Sequence, residues 1–393
     1  MKSLAKLSIY VLFLNYYFAI IVRGSLIPYV TYLVYGILLL YFLISRKIIW
    51  GKELKAWMIY LGLSFLTITF AQSSAYATEG LIKFVQRLIL ILAIADICKK
   101  EKSISFAVSL LTVTATSCGI AILTNLSSVQ GRLSLENDAN ISVNDVGSIM
   151  AYGCFAILLF SKYIVKKDFL QYISVAAGSV LFIVVIFLSG SRKAFYAIII
   201  FYAILLITGT LKIKSASQLI GMVLIGVVVW KFIDNNLLDM MSETSLFERI
   251  WGDKAVVAEA SDVGRMSLYR LALLDFIQHP LIGLGYNNFT YVHRVYTHST
   301  YVEPLACSGL IGLFYLYPYV RIIKQQLFLI KEAIKGKLDV IYEKQMFAFL
   351  VMFLFIGVGI PYIYKDIPCI VLAMFIASQS IGRERLARSA EKV

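Results

Sequence analysis

Apolar positions in this chain collect into long runs broken by short polar stretches, without the strict alternation that marks half-buried strands. The runs fall near 5–22, 26–44, 56–72, 80–97, 104–124, 143–161, 169–189, 194–211, 216–233, 300–320, 346–364 and 366–382. A helix needs roughly 17 to 25 such residues to cross a bilayer, so the pattern predicts about twelve transmembrane helices, the last two as a tight hairpin. One polar interruption is long. Residues 234–299 separate the ninth and tenth runs, more than a plain connection needs, and loops of that length are functional or disordered. Within it "SDVGRMSLYRLALLDFIQHP" reads as an amphipathic helix starting at Ser261 or Asp262 and stopped by His279-Pro280. The expected fold is an all-α polytopic membrane protein: one integral membrane domain over 1–393, with 234–299 as a large external loop containing that helix.

Composition agrees with this class. The chain has 393 residues, 60% of them hydrophobic and 15% charged, with a mean hydropathy of +0.81, too apolar for a soluble domain. The start, "MKSLAKLSIYVLFLNYYFAIIVRG", is basic and then apolar for longer than a signal h-region, so it is read as a retained first span. Cys98, Cys118, Cys154, Cys307 and Cys369 show no CxxC spacing and are expected to pack as small apolar groups.

The net charge of +14 is mainly a topology signal. With the N-terminus inside, most Lys and Arg fall in "SRKIIWGKELK", "CKKEKS", "KYIVKKD", the lysine-rich stretch 324–344 and the tail, as the positive-inside rule asks. Both termini are therefore expected in the cytoplasm, the basic loops facing membrane lipid, with no nucleic-acid partner. The basic residues left on the outer side are mostly arginine: Arg23, Arg132, Arg192, Arg249, Arg265, Arg270 and Arg294. Guanidinium suits planar, bidentate recognition of phosphate. Span four adds Glu79, Lys83 and Arg87 on one helical face. Arg87 lies roughly 12 Å below Glu79, where an unpaired guanidinium would cost about 3 kcal/mol, so it is expected to face a polar cavity, one that admits a diphosphate.

Four stretches in order, "GRLSLENDANISVNDVG" (131–147), "SGSRKAF" (189–195), "GRMSLYRLALLDFIQHPLIGLGYNNF" (264–289) and "HSTYVEPLACSGLIGL" (298–313), resemble the O-antigen polymerase and O-antigen ligase superfamily. The resemblance covers roughly 125–320. It implies a GT-C-type integral membrane glycosyltransferase whose donor is a polyprenyl-diphosphate-linked oligosaccharide. The family's SGSR matches Ser189 to Arg192, whose arginine engages the donor phosphate. Its GR matches Gly264-Arg265, and its PLxGxGxxxF turn matches Pro280 to Phe289 with one extra residue. Its HNxxL matches His298, with Ser299 where Asn is usual.

The chemistry asks for the same groups. A departing diphosphate needs cations, and the acceptor hydroxyl needs a base. No DxD appears in the outer segments, so fixed arginines are expected in place of a metal, with no cofactor. His298 is the candidate base because imidazole titrates near neutrality. The expected catalytic residues are thus His298, Arg192 and Arg265. The expected substrate-binding residues are Arg87, Lys83, Arg132, Lys193, Arg270, Tyr286, Asn287 and Glu303, with Tyr291 and Tyr301 also placed to stack on sugars.

Each has a plainer reading. Arg192 and Lys193 also suit an interfacial anchor, His298 a satisfied interface histidine, and Arg265 a partner of Asp262. Glu303 reads first as a structural partner for an arginine. Ser142-x-x-Asp145 reads as a capping box.

The resemblance implies a polymerase extending O-antigen, capsule or exopolysaccharide at the outer face of a bacterial cytoplasmic membrane, alongside a flippase and a chain-length regulator. A ligase acting on lipid A-core shares the motifs and stays open. The rival from another class is a non-enzymatic flippase or transporter, which would show internal repeats and midplane ionisable groups; the one-sided placement of arginines favours an enzyme.

Overall fold

The computed structural model describes residues 1–22, 27–45, 51–124, 142–164, 168–210 and 255–391. These residues form helices joined by short turns. The helices are α1 (Lys2–Val22), α2 (Ile27–Ser45), α3 (Lys52–Leu66), α4 (Ser74–Glu101), α5 (Ser105–Thr124), α6 (Val143–Ile164), α7 (Asp168–Ser189) and α8 (Arg192–Ile207). After them come α9 (Ala255–Gln278), α10 (Asn288–His293), α11 (Glu303–Ser308), α12 (Gly312–Lys335), α13 (Ile341–Gly357) and α14 (Ile367–Ala390). Helices underlie eleven of the expected apolar runs; the ninth, 216–233, lies outside the described residues.

Among the described residues, four stretches are helical, long and apolar enough to cross a membrane: Ser105–Thr124, Phe169–Ser189, Glu303–Lys335 and Ile367–Ser389. Large apolar side chains also face outward along other helices, among them Leu33, Leu43, Phe65 and Ile207. Apolar surface of that extent is stable against lipid and costly against water.

Three expectations change. Span ten is not one helix from 300: α11 ends at Ser308, a 3₁₀ turn follows at Gly309–Ile311, and α12 then runs to Lys335. Gly309 has φ +57, and a β-carbon there would meet the backbone of Pro280 to Ile282, so the break is where the preceding turn docks. The lysine-rich stretch 324–344 is therefore mostly helix rather than loop. The loop helix begins at Ala255, earlier than Ser261 or Asp262, and ends where His279-Pro280 stops it.

Polar pairs collect at the two ends of the bundle. At one end Lys2 and Lys6 bind Glu101, Arg321 binds Glu53 and Arg385 binds Glu343. At the other, the start of α4 meets the 285–288 turn. Asn288 is fully buried, accepts from Ser73 N at 2.5 Å and donates to Ser73 O at 3.1 Å. The starts of α6 and α8 and the link between α13 and α14 gather at this end too.

Candidate functional site

A cavity of about 690 Å³ opens among these elements. Successive turns of α4 supply Gly80, Lys83 and Arg87; α6 supplies Asp145, Ser148, Ile149 and Tyr152; α10 and the loops on either side of it supply Thr290, Asn287 and Tyr296; the α13–α14 link supplies Ile360 to Tyr362 and Tyr364 to Asp366. The volume lies within the range of ligand clefts.

The charges in this cavity are held by local structure. Ser142 and Asp145 form the expected capping box: Asp145 Oδ2 accepts from Ser142 N at 3.1 Å, and Asp145 N donates to Ser142 Oγ at 3.3 Å. The same Oδ2 takes the Lys365 ammonium at 2.6 Å. Arg87 faces the polar cavity that its depth requires, but its guanidinium is engaged by the far wall. Nε donates to Asp366 Oδ1 at 2.8 Å, Nη1 to Ile363 O at 3.0 Å and Nη2 to Tyr364 O at 2.8 Å. Lys83 pairs with Glu79 at 2.6 Å one turn back, both exposed. Asn287 takes a left-handed conformation, φ 60, and its Nδ2 donates to Tyr76 O at 3.2 Å.

His298 sits beside the cavity, its ring 4.3 Å from that of Tyr296, which lines it. Its backbone is left-handed, φ 59, uncommon for a non-glycine residue. Buried hydrogen bonds on both sides hold it there. Thr297 N donates to Glu303 Oε2 at 2.7 Å, Thr300 N donates to Gly357 O at 2.9 Å, and Thr300 Oγ1 donates to Ile360 O at 2.5 Å. The turn at 357–360 also receives Tyr269 of α9, whose hydroxyl donates to Val358 O, and Lys193 of α8, whose side chain crosses Gly359. Tyr269 is one helical turn beyond Arg265, so this turn draws α8, α9 and the His298 loop together. Burial pushes the His298 imidazole down to about 4, helped by the positive charges of Arg265, Lys193 and Lys365 and opposed by Asp145.

Of the expected residues, Arg265 and Lys193 therefore act on His298, while Lys83, Arg87 and Asn287 line the adjoining cavity. Arg192 is the first residue of α8 and half-buried, following a turn in which Gly190 takes φ 63; from this turn of α8 it is its neighbour Lys193 that acts on His298, second to Arg265 among the charges. Arg270 is exposed on α9, and Arg132 lies outside the described residues. Tyr286 lies outside the cavity lining: it is 2% exposed, its ring packed with Tyr60 and Phe84, because Gly80 lets the turn close down on α4. Tyr301 donates to Leu354 O at 2.6 Å, and the exposed Tyr291 packs on Tyr76. Glu303 is fully buried as a structural acceptor, but its partners are Thr297 N and the Tyr364 hydroxyl rather than an arginine. Lys365 was missed; its signal is a Lys-Asp pair in the middle of an apolar hairpin.

Residues 177–317 match the sequence profile of a family described as O-antigen ligase. The chain carries an O-antigen ligase family domain. Enzymes of this family are ligases and polymerases that move glycans from lipid-linked donors. The matched domain spans α7 to the first turns of α12 and includes Arg192, Lys193, Arg265, Asn287 and His298. Lys83, Arg87, Asp145 and Lys365 lie outside it and complete the pocket from the flanking helices. Comparison with curated proteins gave no match.

Proposed function

We propose that the protein polymerises lipid-linked oligosaccharide repeat units, moving the growing glycan from polyprenyl diphosphate to the next repeat unit at the outer face of the cytoplasmic membrane. About twelve spans with both termini inside belong to this reading. The observation that supports it best is a histidine kept neutral beside Arg265, Lys193 and Lys365. Neutral imidazole accepts the proton of the acceptor hydroxyl as its oxygen bonds to the anomeric carbon. The bond from that carbon to the diphosphate breaks, and the departing diphosphate takes the electron pair. Arg192, Arg265 and Lys193 balance the charge that develops there, as preorganised donors do best in a site closed to water. A metal is not required by this chemistry.

The family's description favours a second reading, ligation of finished glycan to an acceptor such as lipid A-core. Glycan profiling of a deletion strain separates the two. Single repeat units on their usual carrier mean a polymerase, and full-length glycan held on the polyprenyl lipid means a ligase. Arg192→Ala, Arg265→Ala and His298→Ala at matched membrane levels are expected not to restore long chains. Normal chains from all three variants would overturn the site.

A further inference from the structure

The cavity next to His298 differs in character from the cluster around His298. Each of its three cations is already bonded to a carboxylate: Lys83 to Glu79, Arg87 to Asp366 and Lys365 to Asp145. Its formal charge is therefore balanced, and Asp145 and Asp366 stand in the wall itself. A diphosphate entering here would face two carboxylates and would have to compete for every cation.

The remainder of the lining is uncharged and mixes apolar groups such as Phe13 and Ile149 with the polar side chains of Asn287 and Thr290. Tyr152, Tyr296, Tyr362 and Tyr364 supply ring surface, the hydroxyls of Tyr152, Tyr362 and Tyr364 being bonded within the protein. A pyranose presents an apolar C–H face and a rim of hydroxyls that both donate and accept. Aromatic faces with a few convergent polar groups match that chemistry. The ammonium of Lys365 has three protons, and one directed to Asp145 leaves others for sugar hydroxyls. Tyr296 belongs to both regions, lining the cavity while its ring lies against His298.

From this division we infer that the cavity is a subsite for a neutral sugar, the one joined to the donor's diphosphate, and that the diphosphate itself lies outside it among Arg265, Lys193 and His298. The inference rests on the glycan-transfer reading and reassigns Lys83 and Arg87, expected from the sequence to meet the diphosphate, to the sugar side. The bond to be broken then falls at the junction, within reach of the imidazole.

The test is binding by the full-length protein in nanodiscs, with no turnover required. The probes are a bare polyprenyl diphosphate and the same lipid carrying in turn a neutral hexose, an N-acetylhexosamine or a hexuronate. One of the neutral sugars is expected to tighten binding by about tenfold over the bare lipid, and the hexuronate is not. Lys365→Met and Tyr296→Ala are expected to abolish that gain. Lys83→Glu, at an exposed position where folding is not at stake, is expected to leave bare-lipid binding unchanged. Loss of bare-lipid binding in Lys83→Glu, a sugar gain that survives in both other variants, or no gain from any neutral sugar, overturns the inference and leaves glycan transfer standing. A wild type that binds none of these lipids overturns the glycan-transfer reading instead.

Discussion

Lys193 crosses Gly359 so closely that its ammonium occupies the place a β-carbon on residue 359 would take. The contact ties the first turn of α8 to the link after α13, the same link that anchors Thr300 two residues beyond His298. A lysine tip can move away, so Gly359→Ala is expected to fold and to displace the ammonium. Transfer should fall about tenfold, matching about 1.4 kcal/mol of lost transition-state stabilisation, and Lys193→Met should do the same. The double variant should lose no more than either single one, because both remove one charge from one place. A transfer assay on the three variants checks this, and fully additive losses would break the link between the two residues.

Gly283 gives the opposite case. Its φ is +63, and a β-carbon would strike the backbone of Cys307, Ser308 and Ala306, which cannot rotate aside. Leu284 N also donates to Ala306 O at 3.0 Å, so the turn and α11 are locked together. Gly283→Ala is expected to cost about 3 kcal/mol or more. A thermal melt in detergent should show it well below both wild type and Gly359→Ala; equal melting temperatures for the two alanine variants would contradict the distinction.

Much of this was legible in the chain because long apolar runs and capping signals are local. The helices found under eleven of the expected runs, the stop at His279-Pro280 and the Ser142/Asp145 box all depend on near neighbours in sequence. Depth was legible too: an arginine three turns into α4 had to meet polar groups, and it does. Which groups it meets was not, because Asp366 is 279 positions away. The burial of Tyr286 follows from Gly80, on a different helix, and the break of span ten follows from the docking of the 280–283 turn. Lys365 escaped notice since hydropathy reads 346–382 as two spans and gives their junction no chemistry.

Arg87 and Asp366 meet in the cavity wall at 2.8 Å, with side chains 10% and 23% exposed. Removing the guanidinium strands the carboxylate together with the carbonyls of Ile363 and Tyr364. Arg87→Met is therefore expected to destabilise by about 3 kcal/mol, in line with breaking one side of a buried pair. Asp366→Asn, which keeps a hydrogen-bond acceptor, should cost less. Melting of the purified variants checks the order, and Arg87→Met as stable as wild type would mean the clamp contributes nothing.

The pH profile of kcat/KM reports on His298 in the free protein. Burial, reinforced by three cations, favours the neutral ring, so it is held down to about 4. A base that must be deprotonated then stays active through the range where an ordinary histidine, with a pKa of about 6.5, would switch off. The acid limb is expected near 4 rather than near neutrality. Its movement has a definite sign for each neighbour. Lys365→Met removes a positive charge and should shift the limb upward, as should Arg265→Gln on whatever activity remains. Asp145→Asn removes the opposing negative charge and should shift it downward. Shifts of all three variants in one direction would mean that the limb belongs to another group, and that His298 does not carry the proton.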